Sequence, residues 1–523
     1  MLRRLAPVAL ALFSLACGAG GVAVPPQTAS APPVDSEPGV ARPEPEAKAS
    51  GLGDLPAGVP PPPGSCEAFR GPPPKDCSSG SFEERLAAAL AQKDAARDLA
   101  LRCLESTTEA PPGWVRALRA DLSPRECGDL VIGSEASAPG AARELADALV
   151  ALGVGARLSR SVQNPPLPQA PFDKPQFLKH FKEVLSPWIV AQAKAVDGMS
   201  QMGPRLSGYA RGVVAIEAGL ADLRFVDVAR RVELPDEMKN DPEIRETYLV
   251  ALEQALEPRV GRGRDAALVG LGEFSKQGIT TDARLSLVRS RLSELYAGRR
   301  LDALDALLLP PLPPPDESTP ALKIAARLPA FYALRLAGSP AVEDAPMLRA
   351  RLEQGVPPAL WLGAPPASPS PELARLTQRG LFQLGQVYFW AEPFARAAAI
   401  PAPPQDSAAA LVASLAKVLA RGPRNAAAMM LGAPTLPAEL RDVSALDALA
   451  QTKTPVAGFA ELDAAYIRGL APPANDPTFW KEQAARYRRA EKKLEAKPAK
   501  MKAAELARAA ADTEKELRRQ PAP

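Results

Sequence analysis

The sequence predicts an all-α protein: antiparallel helical pairs forming an irregular α-solenoid, preceded by a disordered proline-rich tether. Three observations carry this expectation. Ala and Leu dominate an apolar fraction of 46%, while aromatics make up 5%. Ala, Leu and Arg lose little rotamer freedom in a helix. The 59 prolines are clustered, so runs of Pro separate stretches nearly free of it, which is the punctuation of helices joined by stiff connectors. Most connections are short and hold Gly, Pro or Asp, the pattern of antiparallel helical neighbours. An irregular helical bundle without a repeat is the alternative that the same observations allow.

The chain begins with two arginines, Arg3 and Arg4, followed by an apolar run from Leu5 to Ala16. That run is too short to span a bilayer, which takes about 20 residues. A charged start, a short apolar run and small residues at its end describe a signal peptide, here residues 1–16. The run ends Ser14-Leu15-Ala16-Cys17-Gly18. This resembles the lipobox of bacterial lipoproteins, in which a small residue precedes a cysteine that is acylated and becomes the new amino terminus. The large apolar residue, Leu15, stands second before the cysteine, where the family usually places it third. The resemblance implies lipidation of Cys17, palmitate included, and anchoring in a membrane; cleavage after a small residue such as Ala19, with Cys17 lost, is the alternative. Two or three acyl chains anchor firmly where one binds reversibly. No Asp follows Cys17, so the resemblance implies the outer membrane, facing periplasm or cell surface.

Residues 17–64 hold few large apolar side chains and end in four consecutive prolines, Pro60 to Pro63. Such a segment buries too little surface to offset its ordering entropy and is expected to be a disordered, partly polyproline II tether.

Residues 65–140 form an expected small helical module containing Cys66, Cys77, Cys103 and Cys127. Four cysteines in an exported chain read as two disulfides. Three pairings are possible; sequence-local closure suggests Cys66 with Cys77 and Cys103 with Cys127. A zinc site is disfavoured, because there is no Cys-x-x-Cys pair and no nearby His. Phe82, Leu86, Leu90, Leu101 and Leu104 recur at near-helical spacing, which predicts one amphipathic helix over 82–104, started by a Ser81/Glu84 capping box and carrying Cys103 in its last turn.

From 141 onward the pattern predicts helices over 141–152, 174–197, 205–231, 242–256, 263–276, 281–297 and 301–309, making a domain over 141–309. A proline-rich linker, 310–320, separates these from helices over 321–336, 345–354, 371–388, 407–419, 437–449 and 460–470, a helical-repeat domain over 321–475. Asn240-Asp241-Pro242 places Pro at a first helical position, and Gly278 supplies a stop after Lys276 and Gln277. Leu384-Gly385, Tyr388, Phe394 and Ala397 within 380–398 resemble the small and large packing positions of a tetratricopeptide repeat. In that family a Gly lets the paired helix approach and a Tyr fills the gap; a concave binding face for a peptide or protein is what such a body implies.

The terminal stretch differs in kind. Residues 481–523 carry 13 basic and 7 acidic side chains, behind Phe479 and Trp480, with Tyr487 a further aromatic. Within a C-terminal tail, 476–523, this predicts two helices divided at Pro498. The expectation is a solvated charged helix laced with intrahelical ion pairs, or else a surface for an anionic polymer or a partner helix.

Few chemistries fit. Net charge is +3, from 63 basic and 60 acidic residues, so nucleic acid is not an expected partner. There is one histidine, His180, on the face of an amphipathic helix, whereas triads and zinc centres need placed histidines. Glu217, in Val214-Ala215-Ile216-Glu217-Ala218-Gly219, is similar to the catalytic acid of soluble lytic transglycosylases, except that Ala218 stands where that family has Ser. Gly261-Arg262-Gly263-Arg264-Asp265 lacks the Gly-Lys-Ser/Thr ending of a phosphate loop and reads as a turn between helices. The sequence therefore predicts no catalytic residue, metal or cofactor. It predicts an envelope lipoprotein acting as a non-enzymatic scaffold for an envelope protein, with a cell-wall-active enzyme or a plain spacer as rivals.

Overall fold

A computed structural model describes residues 52–77, 79–133, 138–166, 173–295, 304–311, 317–336, 371–388, 391–422, 442–470, 472–473 and 476–519. The protein is all-α: every regular element among these residues is helical. The segment expected over 345–354 and residues 437–441 of the one expected over 437–449 lie outside them.

The first hydrophobic core gathers α1 (Phe82–Ala91), α2 (Asp94–Arg102), α3 (Trp114–Leu122), α4 (Gly128–Ile132), α5 (Arg143–Arg160), then, after the peripheral α6 (Lys174–His180), α7 (Ser186–Ser200), α8 (Gly208–Arg230), α9 (Pro242–Lys276), α10 (Ala283–Leu295), α11 (Pro320–Arg327) and α12 (Ala330–Leu336). Alpha-helical α6 and α7 are joined through one π turn, Phe181–Leu185, so the rod expected over 174–197 is continuous. The capping box forms as expected: the Ser81 hydroxyl accepts from the Glu84 amide while the Glu84 carboxylate accepts from the Ser81 amide. The single helix expected over 82–104 does not form. The chain breaks after Ala91, and Asp94 takes φ +47°, a left-handed conformation that Asp tolerates better than most residues. The break lets α2 turn its charged side chains inward. Asp98, Arg102 and Arg119 are buried together, with Asp98 2.7 Å from Arg102 and 2.9 Å from Arg119. Cys103 then caps α2 instead of lying within a helical turn.

The disulfides join Cys66 to Cys127 and Cys77 to Cys103, with Cα–Cα distances of 5.3 and 5.5 Å. The sequence-local pairing is corrected by packing: the 3-10 turn Gly64–Phe69 lies against the Arg125–Cys127 turn and α4. All four sulfurs are thereby committed to one another.

The break expected between 256 and 263 is also absent. Residues Pro242–Lys276 form one helix of 35 residues that runs through Pro258 and through Gly261-Arg262-Gly263, about 52 Å at 1.5 Å per residue. Gly263 is a contact point with α8, not part of a turn. A Cβ at Gly219 would sit 2.7 Å from the Gly263 carbonyl oxygen and 2.8 Å from the Ala267 nitrogen; one at Gly270 would sit 2.9 Å from the Ile216 nitrogen. Gly212 and Gly219 on α8, and Gly263 and Gly270 on α9, are each seven residues apart, so each pair lies on one helix face. The two helices cross backbone to backbone along that seam. Arg259 and Arg262 reinforce it with hydrogen bonds of 2.6 Å each to the buried Asp222.

This predicts a sharp difference between two substitutions on one helix. Gly270→Leu meets fixed backbone atoms and should cost about 3 kcal/mol or more, the upper end of overpacking. Gly272→Ala meets nothing within 4 Å and should be neutral or stabilising by up to about 1 kcal/mol, because Ala favours helix over Gly. Urea unfolding of the two variants beside the wild type measures both.

The second core gathers α13 (Pro371–Tyr388), α14 (Ala391–Ala399), α15 (Ser407–Leu419), α16 (Ser444–Ala450), α17 (Ala457–Gly469), α18 (Pro477–Lys493) and α19 (Lys497–Arg519). Each helix packs on the next in sequence, which is a repeat-like arrangement. Three expected boundaries move. The region 65–140 shares one core with 141–309 and is not a separate module. Residues 320–336 return to the first core, where Trp114 donates to the Tyr332 carbonyl oxygen at 3.0 Å and Tyr332 donates back to that of Ala117 at 3.0 Å; Leu304 and Leu307 join the second core. The helix expected over 321–336 is split at Leu328-Pro329, consistent with the missing amide of Pro. The tail is no solvated helix. Its two helices split at Leu494–Ala496, with Pro498 inside the first turn of α19, and form a hairpin that buries Tyr487, Ala490, Leu494, Ala499, Ala503 and Ala507.

Candidate functional site

Two ionic clusters organise the two cores, and they differ in their access to solvent. The first surrounds Arg284 at the start of α10. Its guanidinium lies 2.6 Å from Asp121 of α3, 3.5 Å from Glu217 of α8 and 3.6 Å from Asp282, the residue that caps α10. Tyr209 donates to Asp121 at 2.7 Å, and Arg125 reaches Glu217 at 3.1 Å. Burial works against the Arg284 charge, but Asp121 and Asp282 outweigh it and hold the group well above its ordinary value. Glu217 has no exposed side-chain surface. Enclosed by Arg125 and Arg284, it ties α8 to α10 and to the turn before α4, and this arrangement offers a polymeric substrate no path to it.

The second cluster is open. Glu461 of α17 is buried, and α18 delivers Arg489 at 3.0 Å and Lys493 at 2.9 Å to it, with Arg486 bridging onward to Asp447 of α16. Above this floor lies a cleft of about 650 Å³ lined by Asp447, Gln451, Arg468, Glu482, Arg486 and Arg489. Arg489 is 55% exposed, so the rim presents guanidinium groups to solvent while carboxylates flank them. Such a surface recognises charged side chains of both signs on a partner; guanidinium groups in particular bind carboxylates bidentately. The sequence flagged the tail that carries Arg486 and Arg489, but not Glu461 or Arg468. No local pattern distinguishes a glutamate that collects three cations from one facing water.

The remaining candidates are placed as follows. Cys17 lies outside the described residues. His180 ends α6, half-buried, with Nε2 donating to the Pro166 carbonyl oxygen at 2.8 Å. Phe479 and Trp480 pack edge to face at 5.4 Å at the start of α18, partly buried against the second core. Gly385 does permit close approach, since a Cβ there would lie 2.8 Å from the Phe394 ring. Tyr388 does not fill the gap between that pair: it inserts into the first core and donates to the Ile279 carbonyl oxygen at 2.6 Å, linking the two cores. Among the described residues, no group of three or more His, Cys, Asp or Glu is placed to hold a metal ion, and no helix is long and apolar enough to cross a membrane.

Two buried carboxyls make stability depend on pH. Burial pushes Asp282 up to about 6, with Arg284 opposing and Asp121 adding to the shift. Burial also holds Asp463 of α17 well above the usual carboxylate range, against the opposing Leu308 amide, which donates to it at 3.1 Å. Its other oxygen has no hydrogen-bond partner. A carboxyl raised in the folded state contributes stability that is full below its unfolded pKa of about 4 and is lost as pH rises through the folded value. Stability should therefore fall between about pH 4 and 6 through Asp282, and Asp463 should extend the loss upward. Asp463→Asn should be more stable than wild type at pH 7, with the gap closing toward pH 4. Urea unfolding across that range checks this; parallel curves for the two proteins would contradict it.

Compared with known proteins, the chain matches no family model, no curated protein and no solved structure. What fold and site define is an all-α protein of packed helical pairs with an open charged cleft between α16, α17 and α18.

Proposed function

We propose that the chain is an envelope lipoprotein, anchored through acylated Cys17, whose helical pairs form a non-enzymatic scaffold for an envelope protein. The observation that carries the scaffold reading is the cleft between α16, α17 and α18, where Arg468, Arg489 and Glu482 line a surface built on a buried Glu461. The sequential packing of α13 to α19 supports it, because stacked helical pairs offer extended faces to a protein partner. The partner on this reading is a protein segment with both acidic and basic side chains. The anchor rests on the lipobox resemblance and implies the outer membrane.

The test is affinity capture of the full-length chain from crosslinked, detergent-solubilised envelopes. Deleting 481–523 would remove part of the second core, so point variants at the rim replace truncation. The scaffold reading expects one partner recovered in stoichiometric amount, with recovery reduced about tenfold or more by Arg468→Glu with Arg489→Glu, a loss of about 1.4 kcal/mol in affinity. Recovery of no stoichiometric partner, or undiminished recovery with the double variant, sinks it.

A further inference from the structure

The last residues before the cysteine-stapled region are not free chain. They lie in a groove formed by α5 and α7. Leu52 inserts into a notch left by Gly153, where an added Cβ would lie 2.5 Å from the Leu52 side chain. Arg157 donates to the carbonyl oxygens of Leu52 at 2.6 Å, Gly53 at 3.0 Å and Asp54 at 3.2 Å. Gln192 donates to that of Gly58 at 2.6 Å, and Arg160 to that of Pro60 at 3.0 Å. Pro56 to Val59 form a turn closed by the Val59 amide, and Gly58 adopts φ +91°, which suits glycine. Val59 is buried; most of the side chains between Leu52 and Val59 are exposed.

The groove's donors are held by the body, not by the segment. Asp129 accepts from Arg160 at 2.6 and 2.8 Å, and the Val162 amide donates to the Gln192 side-chain oxygen at 2.7 Å. Val162 has φ +58°, a strained conformation for a β-branched residue. Five side-chain bonds to main-chain carbonyls, a glycine notch for one leucine and donors fixed from behind are the attributes of a preorganised receptor for an extended peptide.

We propose that the α5–α7 groove is a peptide receptor and that residues 52–60 are its exchangeable internal ligand, docking and undocking as a latch. If the chain is anchored through Cys17, undocking residues 52–63 lengthens the tether by up to about 37 Å at 3.1 Å per residue in polyproline II form. That consequence rests on the anchor; the receptor does not, and its test reads no lipid.

The test uses the full-length chain and a fluorescent peptide of residues 50–62, followed by anisotropy. The tethered segment competes at an effective concentration on the order of millimolar, so wild type should bind the peptide poorly. Leu52→Asp empties the notch and should raise affinity about tenfold or more. Adding Gly153→Val should abolish binding, as should Leu52→Asp placed in the peptide. Because a variant can unfold, hydrogen exchange on the wild type gives a second reading: excess peptide should deprotect the Val59 amide, which donates to the Pro56 carbonyl oxygen in the docked turn, and leave α5 unchanged. Equal affinity for wild type and Leu52→Asp, or no binding by a Leu52→Asp chain of unchanged helical circular dichroism, would overturn the proposal. So would unchanged exchange at the Val59 amide under saturating peptide.

Discussion

Arg284→Met should lower the unfolding free energy by about 3–5 kcal/mol, the cost of leaving buried charge without its partner. The guanidinium is 6% exposed and serves Asp121 and Glu217, which are 6% and 0% exposed. Removing it strands two carboxylates in a core that also holds Tyr209, Phe274 and Phe331. Glu217 retains Arg125 at 3.1 Å, but Asp121 is left to tyrosine hydroxyls, those of Tyr209 and Tyr332. Arg284→Lys keeps the charge on a single compact ammonium that cannot hold both acids with one planar fork, so its loss should be intermediate. The contrast is Arg230→Met. Arg230 pairs with Glu253 at 2.6 Å, but the two are 40% and 50% exposed, and such pairs contribute about 1 kcal/mol or less. Equilibrium urea unfolding of the three variants at two salt concentrations measures the difference. Equal losses for Arg284→Met and Arg230→Met would mean that the first cluster does not organise its core.

Removing the Cys66–Cys127 disulfide as paired alanines should cost about 4.3 kcal/mol or more, against about 3.5 for Cys77–Cys103, because the longer loop releases more chain entropy. The sequence separations are 61 and 26. Entropy alone separates them by about 0.8 kcal/mol. Packing widens the gap: Cys66 and Cys127 are completely buried, whereas Cys77 is exposed. Losing the buried sulfurs also leaves a void whose lining atoms forfeit contacts. Denaturant unfolding of both double variants tests the order; a larger loss for Cys77–Cys103 would contradict the loop argument and the observed burial together.

What the sequence reveals about this fold depends on punctuation. The helices Pro371–Tyr388 and Ser407–Leu419 match their expected bounds at both ends; Pro371, Asp406 and Gly422 mark three of those ends in the sequence. Periodicity shows which face is apolar but not what covers it. Gly263 carries the same letter whether it forms a turn or a helix interior, and only the facing Gly219 and Leu223 decide. The alanines of α19 look too small to drive docking, yet they let α18 approach closely. Arg157 and Gln192 give no hint of reaching back more than a hundred residues to residues 52–58. Arg284 and Asp121 are 163 residues apart, and no local signal separates a buried partner from a solvated charge. The disulfide pairing failed for the same reason: proximity in sequence is a poor guide once helices decide proximity in space.

The proposed lipid on Cys17 is the claim from which the envelope location and the tether follow. Mass spectrometry of the mature amino terminus, on protein purified from membranes of a bacterial host, tests it directly. The account predicts a terminal peptide beginning at Cys17 and carrying a diacylglyceryl group, with or without a third acyl chain. An unmodified terminus beyond Cys17 would contradict it.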